Sequence, residues 1–430
     1  MPGTWFASAL AMPSADASHP APLPAADTAP LRPHLLDASM FCSPAGGVAR
    51  MLSAKQALLG AAGWRHTVMA PGLHGPERID CGGLPLPASG GDRFVTRRAQ
   101  AARLMQAARP DIVEAADPGT LAWAALDATA QLQVPAVAFC HSNLPAIAAR
   151  LVGGKAGLHS RRGAWAADQA AAYLARLYAR FDLVLAPSRA MVQTVRSWGI
   201  EHVVHQPLGV DCTVFRPRAK DMLWRLRIRE RLQLPISSRL LVYCGRFGPE
   251  KNLQVLVDAL RLLGRGHALL ALGAGPCPPR GEHVRVLAPE TDSRRLARLL
   301  ASCDVFVHPG EHEPFGQAAL EAMACGTPVV VNAAAGLGEL ARGVGITVAS
   351  LRPREWAEAI AAGIADDASS RVWQALQHAR AHDWPLVLAQ WLQRYRALQH
   401  LRHERPERHA RDAGGPLPAE AQSGPSALSI

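Results

Sequence analysis

The chain has 430 residues, 49% of them hydrophobic, which is enough apolar surface for two or three folded domains and excludes a wholly disordered protein. Its formal charge is +11, from 46 basic and 35 acidic residues, which suits nucleic acid, an anionic membrane surface or a phosphorylated substrate. The eight cysteines are scattered without a Cys-x-x-Cys pair, and no run of about 18 apolar residues occurs, which argues against a zinc site and a membrane-spanning helix. We expect a reduced, cytoplasmic protein.

Alanine and proline dominate both ends of the chain. Residues 1–30 and 403–430 show little hydrophobic periodicity, and we predict them to be disordered tails. Between them, short apolar runs alternate with Ala- and Leu-rich helical stretches, which is the pattern of parallel strands joined by helices. The predicted fold class is α/β, with two Rossmann-like, doubly wound domains that face each other across a cleft.

The first predicted domain covers residues 31–213. Its strands include 66–70, 112–115, 136–140 and 183–186. The segment from Pro207 to Lys220, rich in proline and charge, interrupts the pattern and predicts the connection between the domains.

The second predicted domain covers residues 214–385. Its strands are 240–244, 268–272, 284–287, 305–308 and 329–332, and its helices include 252–263, 293–302 and 315–324. Apolar residues from Leu388 to Leu398 recur at helical spacing, which predicts a final helix over 386–402. Ligands of such sheets bind beyond the carboxyl ends of the strands, so the cleft is the predicted site.

Arginines are concentrated at 93–109, 225–231 and 405–411. We interpret each group by itself as a solvated helix face. Nucleic-acid binding is not expected, because aromatic residues are not interleaved with these cations. A separate hypothesis is that the N-terminal domain contacts an anionic membrane surface through Arg97, Arg98, Arg161 and Arg162.

Two candidate residue groups lie in the first half. Gly46 and Gly47 belong to the segment Ser43–Val48, between a strand and a helix, where adjacent glycines let backbone amides approach a phosphate or an acceptor. A simple tight turn is the alternative. His141 follows the strand that ends at residue 140, although a lone histidine in such a place is more often structural.

Arg246 and Lys251 lie on one glycine-bearing turn, Gly245–Asn252, after a predicted strand. An arginine can bind two phosphate oxygens at once and a lysine adds a point charge, so the pair suits a departing diphosphate. A pair of surface cations beside a turn is the alternative.

Two carboxylates bracket a predicted helix start in the segment Glu313–Glu321. Free amides at Phe315, Gly316 and Gln317 would bind a diphosphate at the helix N-terminus. Eight residues of helix span about 12 Å, so one carboxylate would reach a bound sugar and the other a ribose. The alternative is a capping role for Glu313 and a solvent-facing Glu321.

These segments together resemble the retaining GT-B glycosyltransferases of group 1, family 4. The similarity extends through Cys303–Gly316 and Ala324–Val331, includes Gly245–Asn252, and covers about residues 34–400. It implies that Glu313 binds the transferred sugar and Glu321 the ribose, and that Arg246 and Lys251 neutralise the diphosphate. His141 would hydrogen-bond a sugar hydroxyl, and the last helix would cross back to the N-terminal domain. The resemblance also implies that residues 31–213 form the acceptor-side domain and residues 214–385 the nucleotide-sugar donor domain.

The resemblance is strongest to GDP-mannose-dependent α-mannosyltransferases, on Asp117–Pro118 and the His141 region. It implies transfer of a hexose, with mannose as the best guess, from a nucleoside diphosphate sugar to a glycan or lipid-linked acceptor with retention at the anomeric carbon. No Asp-x-Asp occurs, so we expect neither a metal nor another cofactor. We place the protein in the cytoplasm, with the inner face of the membrane as a hypothetical docking surface.

Two departures from the family pattern concern the subfamily. Asn252 stands where many relatives carry glycine, and Gly338 precedes Glu339 where relatives often carry proline. Rival functions are an epimerase or phosphorylase of the same fold, and a catalytically silent nucleotide-sugar-binding or scaffold protein. No lysine motif for pyridoxal phosphate is evident, which weakens the phosphorylase alternative.

Overall fold

Two parallel sheets form the framework of the computed structural model, which describes residues 32–42, 46–85, 93–365 and 369–403. Residues 1–30 and 404–430 of the predicted tails lie outside the described residues, as do Ser43, Pro44 and Ala45 of the glycine-containing segment.

The first sheet has seven parallel strands in the order β3-β2-β1-β6-β7-β8-β9, and a short antiparallel pair, β4 and β5, lies apart from it. The strands are β1 (His34–Ala38), β2 (Arg65–Ala70), β3 (Arg78–Asp80), β4 (Leu84–Pro85), β5 (Arg93–Phe94), β6 (Ile112–Ala115), β7 (Ala136–Phe139), β8 (Leu183–Ala186) and β9 (Val203–His205). The helices are α1 (Gly47–Ala61), α2 (Arg98–Ala108), α3 (Thr120–Leu132), α4 (Leu144–Gly153), α5 (Arg161–Tyr178) and α6 (Arg189–Ser197).

The second sheet has six parallel strands in the order β12-β11-β10-β13-β14-β15. The strands are β10 (Arg239–Cys244), β11 (His267–Leu272), β12 (Val284–Leu287), β13 (Val305–His308), β14 (Val329–Asn332) and β15 (Ile346–Val348). The helices are α7 (Met222–Arg231), α8 (Gln254–Leu263), α9 (Ser293–Ser302), α10 (Gln317–Ala324), α11 (Ala335–Ala341), α12 (Pro353–Ile364), α13 (Ser369–Ala381) and α14 (Trp384–His403).

The central strands are buried on both faces, which is why they read as continuous apolar runs. Every residue of β13 and β14 is buried, and each strand ends on a polar residue, His308 or Asn332. Side-chain caps start several helices: Asn143 accepts from the Ala146 amide at α4, and Ser160 accepts from the Gly163 amide at α5. The α/β fold class predicted from the alternation of strands and helices is confirmed.

The last helix, α14, packs on α1 of the first half and covers a buried ion-pair network. Lys55 of α1 is fully buried between Asp37 (3.0 Å) and Glu114 (2.8 Å), which are direct neighbours on β1 and β6. From α14, the Tyr395 hydroxyl lies 3.1 Å from the Lys55 Nζ, and the Trp391 ring lies 4.7 Å from the same atom. The ammonium balances the charge of Asp37 and hydrogen-bonds Glu114, whose pKa burial raises to about 7, so the fold can bury the two side chains together.

The interpretation of arginines 225–231 as a solvated helix face is wrong for two of them. Arg225 binds both carboxylate oxygens of Asp304 at 2.7 and 2.8 Å, and Arg229 donates to the Ser238 carbonyl at 2.6 Å. Both side chains are buried, because α7 packs close to α9 within the second half. These cations stabilise the fold and are not available to a ligand.

Candidate active site

Both sheets reverse their strand order at the places where the candidate residues lie. In the first sheet β1 has β2 on one side and β6 on the other, and the loop after β1 leads to Gly46 and Gly47. In the second sheet β10 lies between β11 and β13, and the loops after β10 and β13 carry Arg246, Lys251 and Glu313. Such reversals open a crevice at the carboxyl ends of the strands, which is where ligands bind in doubly wound sheets.

Glu313 is ion-paired with Lys251, which comes from the neighbouring loop. His308, at the end of β13, lies 3.8 Å from the same carboxylate. Burial raises the pKa of Glu313, but Lys251 and His308 outweigh burial and lower that pKa to about 2. The carboxylate is therefore ionised at neutral pH and can accept hydrogen bonds from sugar hydroxyls.

His308 is a neighbour of the candidate site that sequence reasoning missed. Its Nδ1 accepts a hydrogen bond from the Gly310 amide at 3.2 Å. Burial lowers the pKa of His308 to about 4; Glu313 opposes this shift and Lys251 adds to it. The ring is therefore neutral at physiological pH and carries its proton on Nε2, facing Glu313. The sequence signal that could have identified His308 was its position at the end of a buried strand, which it shares with His141.

Arg246 lies on the same turn as Lys251 but is held differently. Its guanidinium pairs with Glu250 four residues on, and about half of the side chain is exposed. The structure thus brings the two predicted cations to one turn, while each is bound to a carboxylate, Glu250 or Glu313. A diphosphate would compete with these carboxylates for both cations.

Helix α10 begins at Gln317, two residues later than the predicted start at Phe315. The reason is Gly316, whose φ of +101° lies in the left-handed region that a helix cannot contain. No hydrogen bond joins the amides of Phe315, Gly316 or Gln317 to any residue that the structure describes. These donors match the predicted anion site, whereas the Phe315 side chain is buried in the core.

The Glu321 carboxylate is buried, so the alternative that it faces solvent is wrong. It is 1% exposed and binds Arg50 of α1, with the Arg50 Nε 3.0 Å from Oε1 and Nη2 3.4 Å from Oε2. Burial raises the pKa of Glu321, and Arg50 opposes that rise. The pair joins the two halves of the chain at the position predicted to bind ribose, and sequence reasoning missed Arg50.

The glycine pair of the first half meets α10 directly. A Cβ built on Gly47 would lie 4.0 Å from the Gln317 side chain, so α1 and α10 approach each other end to end. Gln317 donates through Nε2 to the Gly209 carbonyl at 2.8 Å, while its buried Oε1 has no partner among the described residues. An unsatisfied buried acceptor at this point suits a ligand hydroxyl.

His141 lies beside the Lys55–Asp37 pair in the first half. Its ring stacks on Phe139 with 4.0 Å between ring centroids, and its buried Nε2 has no hydrogen-bond partner among the described residues. Burial, with a further contribution from Lys55, lowers its pKa to about 3. A neutral imidazole with one unsatisfied nitrogen can hydrogen-bond a hydroxyl but does not become charged near neutral pH.

A cavity of about 470 Å³ opens between the halves at the Arg50–Glu321 pair. Arg50 and Ser53 line it from α1, and Gln317, Glu321 and Thr291 line it from the second half. This volume lies within the range of small-ligand sites.

Three hydrogen bonds connect α6 of the first half to the loop around the site. Ser188 Oγ donates to the Pro314 carbonyl at 2.7 Å, next to Phe315. Glu339 of α11 accepts from the amides of Arg189 (3.1 Å) and Ala190 (2.8 Å) at the start of α6. The predicted departure at Gly338–Glu339 therefore lies at a contact between the halves, and a Cβ on Gly338 would clash with the Ala333 carbonyl at 1.9 Å.

Within the ranges that the structure covers, no helix is both long and apolar enough to cross a bilayer, and no three His, Cys, Asp or Glu side chains cluster as metal ligands would.

Comparison with known proteins follows the same division of the chain. Residues 45–214 match Glycosyltransferase Family 4, and residues 238–366 match Glycosyl transferases group 1. A GDP-mannose-dependent alpha-(1-6)-phosphatidylinositol dimannoside mannosyltransferase of Mycobacterium tuberculosis is 31% identical over 74% of this chain and 82% of its own length. A GDP-mannose-dependent alpha-mannosyltransferase of Mycolicibacterium smegmatis is 34% identical over 53% of this chain and 57% of its own length.

Solved structures share the architecture. Sucrose-phosphate synthase from Thermosynechococcus elongatus aligns with a TM-score of 0.67 at 21% identity, over 86% of this chain and all of that one. Anabaena HepE in complex with UDP and glucose aligns with a TM-score of 0.65 at 18% identity, over 84% and 98% of the two chains. The GT-B fold implied by the sequence is confirmed. By the match of both halves and by its similarity along most of the mycobacterial enzyme, the chain belongs to the group 1, family 4 glycosyltransferases.

Proposed function

We propose that this protein transfers mannose from GDP-mannose to a hydroxyl of a glycan or lipid-linked acceptor, with retention at the anomeric carbon and without a metal. The mycobacterial relatives, which are GDP-mannose-dependent mannosyltransferases, support the donor and the sugar. The observation that carries the proposal is the meeting of Glu313, Lys251 and the free amides before α10 at a strand-order reversal, beside a cavity that Glu321 lines.

In this proposal the donor lies along α10. The diphosphate binds the free amides of Phe315, Gly316 and Gln317, with Lys251 and Arg246 released to its oxygens from Glu313 and Glu250. Glu313 accepts hydrogen bonds from the mannose hydroxyls, and Glu321 accepts them from the ribose. His141 contributes a hydrogen bond to a sugar hydroxyl from the opposite wall of the cleft.

The chemistry is then mainly electrostatic. As the anomeric carbon–oxygen bond to GDP breaks, negative charge grows on the departing phosphate, where the two cations and the amides stabilise it. The acceptor oxygen forms the new bond on the same face of the sugar, and its proton passes to the departing phosphate oxygen. No enzyme carboxylate acts as a nucleophile in this scheme, and no metal is needed to neutralise the diphosphate.

We also propose a cytoplasmic location, supported by the absence of disulfides at the buried Cys81, Cys140, Cys303 and Cys325. Contact with the inner face of the membrane is part of the same proposal.

Calorimetry with GDP, UDP and ADP in the absence of metal tests the donor site. We expect GDP to bind best, and Glu321→Gln and Arg246→Ala to weaken it by about tenfold or more, since each loses a charge-assisted hydrogen bond. Glu282→Gln and Arg354→Ala, both on exposed side chains, are matched controls that should leave affinity unchanged. Absence of binding by all three nucleotides would overturn the donor site.

A transfer assay separates the enzyme from the silent alternative. Incubation with GDP-mannose and mannosyl or lipid-linked acceptors should give a product whose anomeric configuration, read by NMR, is α. Nucleotide binding that is sensitive to Glu321→Gln but gives neither transfer nor slow donor hydrolysis would favour the catalytically silent binding protein.

A further inference from the structure

The turn between α4 and α5 exposes an unusual amount of apolar surface. We call residues 150–165 the α4–α5 tip. Its exposed side chains are Leu151 (70%), Val152 (51%), Leu158 (50%) and Trp165 (63%). Four of the fifteen large hydrophobic side chains exposed in the described part of the chain thus fall within one short stretch, which a folded protein in water does not need.

All charged residues of the α4–α5 tip are basic. Arg150, Lys155, Arg161 and Arg162 are its basic residues, and no aspartate or glutamate occurs from residue 143 to 167. Arg161 and Arg162 are exposed in the first turn of α5, where a cation opposes the helix dipole. Neither forms an ion pair with a described residue, so the fold itself gives no reason for placing cations there.

The α4–α5 tip differs from the other basic group of the membrane hypothesis. Arg98 is bound to Asp127 and lies over the Trp123 ring, which in turn donates to Tyr173 near the far end of α5. Twelve residues of helix separate Tyr173 from Arg161, about 18 Å. Arg98 is therefore paired with Asp127 at the surface and lies away from the exposed apolar side chains.

The α4–α5 tip also borders the site. Arg150 lies 3.5 Å from the Pro249 carbonyl and 3.4 Å from the Asn252 side-chain oxygen, on the turn that carries Lys251. A partner bound to the α4–α5 tip is therefore held beside the turn that carries Lys251, at the edge of the cleft between the halves.

We propose that the α4–α5 tip is a docking surface for an anionic phospholipid leaflet. Leu151, Leu158 and Trp165 would enter the headgroup–acyl boundary, while Arg161 and Arg162 bind lipid phosphates. Apolar side chains next to unpaired cations fit a lipid surface better than an acidic polypeptide, which needs the charge alone. Docking there would present a lipid-anchored acceptor to the cleft, and this part of the inference rests on the proposed function. Membrane attachment itself does not depend on the proposed function.

Vesicle flotation of the full chain tests this surface without any assay of transfer. We expect binding to vesicles of phosphatidylcholine with phosphatidylglycerol and little binding to phosphatidylcholine alone. Arg161→Glu with Arg162→Glu should lower the partition coefficient by at least about tenfold, because two attractive charges become repulsive. Trp165→Ala with Leu151→Ala should lower it several-fold at unchanged charge.

Matched controls come from the second half of the chain. Arg294→Glu with Arg295→Glu reverses two adjacent exposed cations in the first turn of α9, and Trp373→Ala removes a tryptophan that is 62% exposed. Both should retain most vesicle binding, and thermal unfolding should show that every variant is folded.

Three outcomes would overturn the proposal. The first is no binding to anionic vesicles, and the second is a loss of vesicle binding in the α9 control as large as that in the Arg161 and Arg162 variant. The third is unchanged vesicle binding by the Trp165 and Leu151 variant, together with binding to polyglutamate as strong as binding to vesicles. The last would identify an acidic protein partner. Because GDP calorimetry is independent of flotation, failure of the donor site and failure of the docking surface are distinguishable.

Discussion

The two carboxylates that bracket the start of α10 have opposite electrostatic surroundings. Glu313 has the Lys251 ammonium and His308 beside it and a pKa lowered to about 2, while burial raises the pKa of Glu321 against the single cation Arg50. Glu313 is therefore ionised at any physiological pH. The charge of Glu321 depends on Arg50, and this dependence can be measured.

Arg50→Met removes the cation that keeps Glu321 ionised. Because only the Gln317 side chain then opposes burial, the pKa of Glu321 should rise further, and its carboxylate should become protonated at a higher pH. We expect the GDP affinity of Arg50→Met to decline at a higher pH than that of the unsubstituted protein, in calorimetric titrations across the neutral and mildly acidic range. Arg50→Lys, which retains a cation, should keep the original pH profile; coincident profiles for all three proteins would contradict the dependence.

Lys55→Met leaves Asp37 and Glu114 as buried neighbours on adjacent strands without a counter-charge. Removing one partner of such a buried network costs about 3–5 kcal/mol of unfolding free energy. Urea unfolding measures the loss. Arg354→Met breaks an exposed pair with Glu358 and should cost less than about 1 kcal/mol. Similar losses in the two variants would show that the Lys55 network is no more than a surface pair.

Candidate site residues could be proposed from the sequence where they lie within one short segment. Glu313, Gly316 and Lys251 became candidates because each belongs to a strand–loop–helix segment whose local pattern predicts free amides or paired charges. Arg50 could not, because its partner Glu321 is 271 residues away and nothing in α1 alone indicates the pairing. The same holds for the burial of Lys55, which depends on Tyr395, 340 residues later.

At the scale of elements, apolar runs and turn residues predicted strands better than helix starts. The bounds of β6, β8, β12, β13 and β14 are those predicted, because buried parallel strands are bounded by polar or helix-starting residues. Helix α8 begins at Gln254 rather than Asn252, because Asn252 adopts a left-handed conformation with φ of +52°. Left-handed residues follow from tertiary contacts as much as from residue type, so the sequence pattern alone could not locate them.

Gly316→Ala tests how the start of α10 is set. An alanine at a positive φ is strained, and its Cβ would lie 2.5 Å from Leu337 Cδ1. Gly264→Ala is the matched control, since Gly264 has φ of +77° but nothing within 4 Å of a built Cβ. We expect Gly316→Ala to lower the free energy of unfolding by about 1–3 kcal/mol more than Gly264→Ala, and to weaken GDP binding as well. Equal effects in urea unfolding and unchanged GDP binding would show that the left-handed backbone alone matters there.

At the scale of the whole molecule, buried neutral histidines make stability depend on pH. Burial is the main cause that lowers the pKa of His141 to about 3 and those of His308 and His378 to about 4. The unfolded chain takes up these protons near pH 6.5, so it binds more protons than the folded chain between about pH 6.5 and 4. Burial raises the pKa of Glu114 to about 7 and also raises that of Glu321, and these two carboxyl groups oppose the trend.

The free energy of unfolding should therefore fall as the pH drops below about 6.5, by up to about 1.4 kcal/mol per pH unit for each such histidine. Urea unfolding at several pH values measures this slope. His378→Asn should make the slope shallower, while His159→Asn, at an exposed histidine, should not change it. A stability that is constant or rising toward acid pH would contradict the assignment.

The crossing of α14 onto α1 also fixes the order in which a nascent chain can finish folding. The ribosome completes Asp37, Lys55 and Glu114 early, but Tyr395 and Trp391, which close over the lysine, are among the last described residues to be made. Until they emerge, the N-terminal half has a charged pocket open to water instead of a sealed core. Newly made N-terminal halves are therefore unfinished, and a chain truncated before α14 should be a substrate for chaperones and proteases even though both of its sheets are encoded.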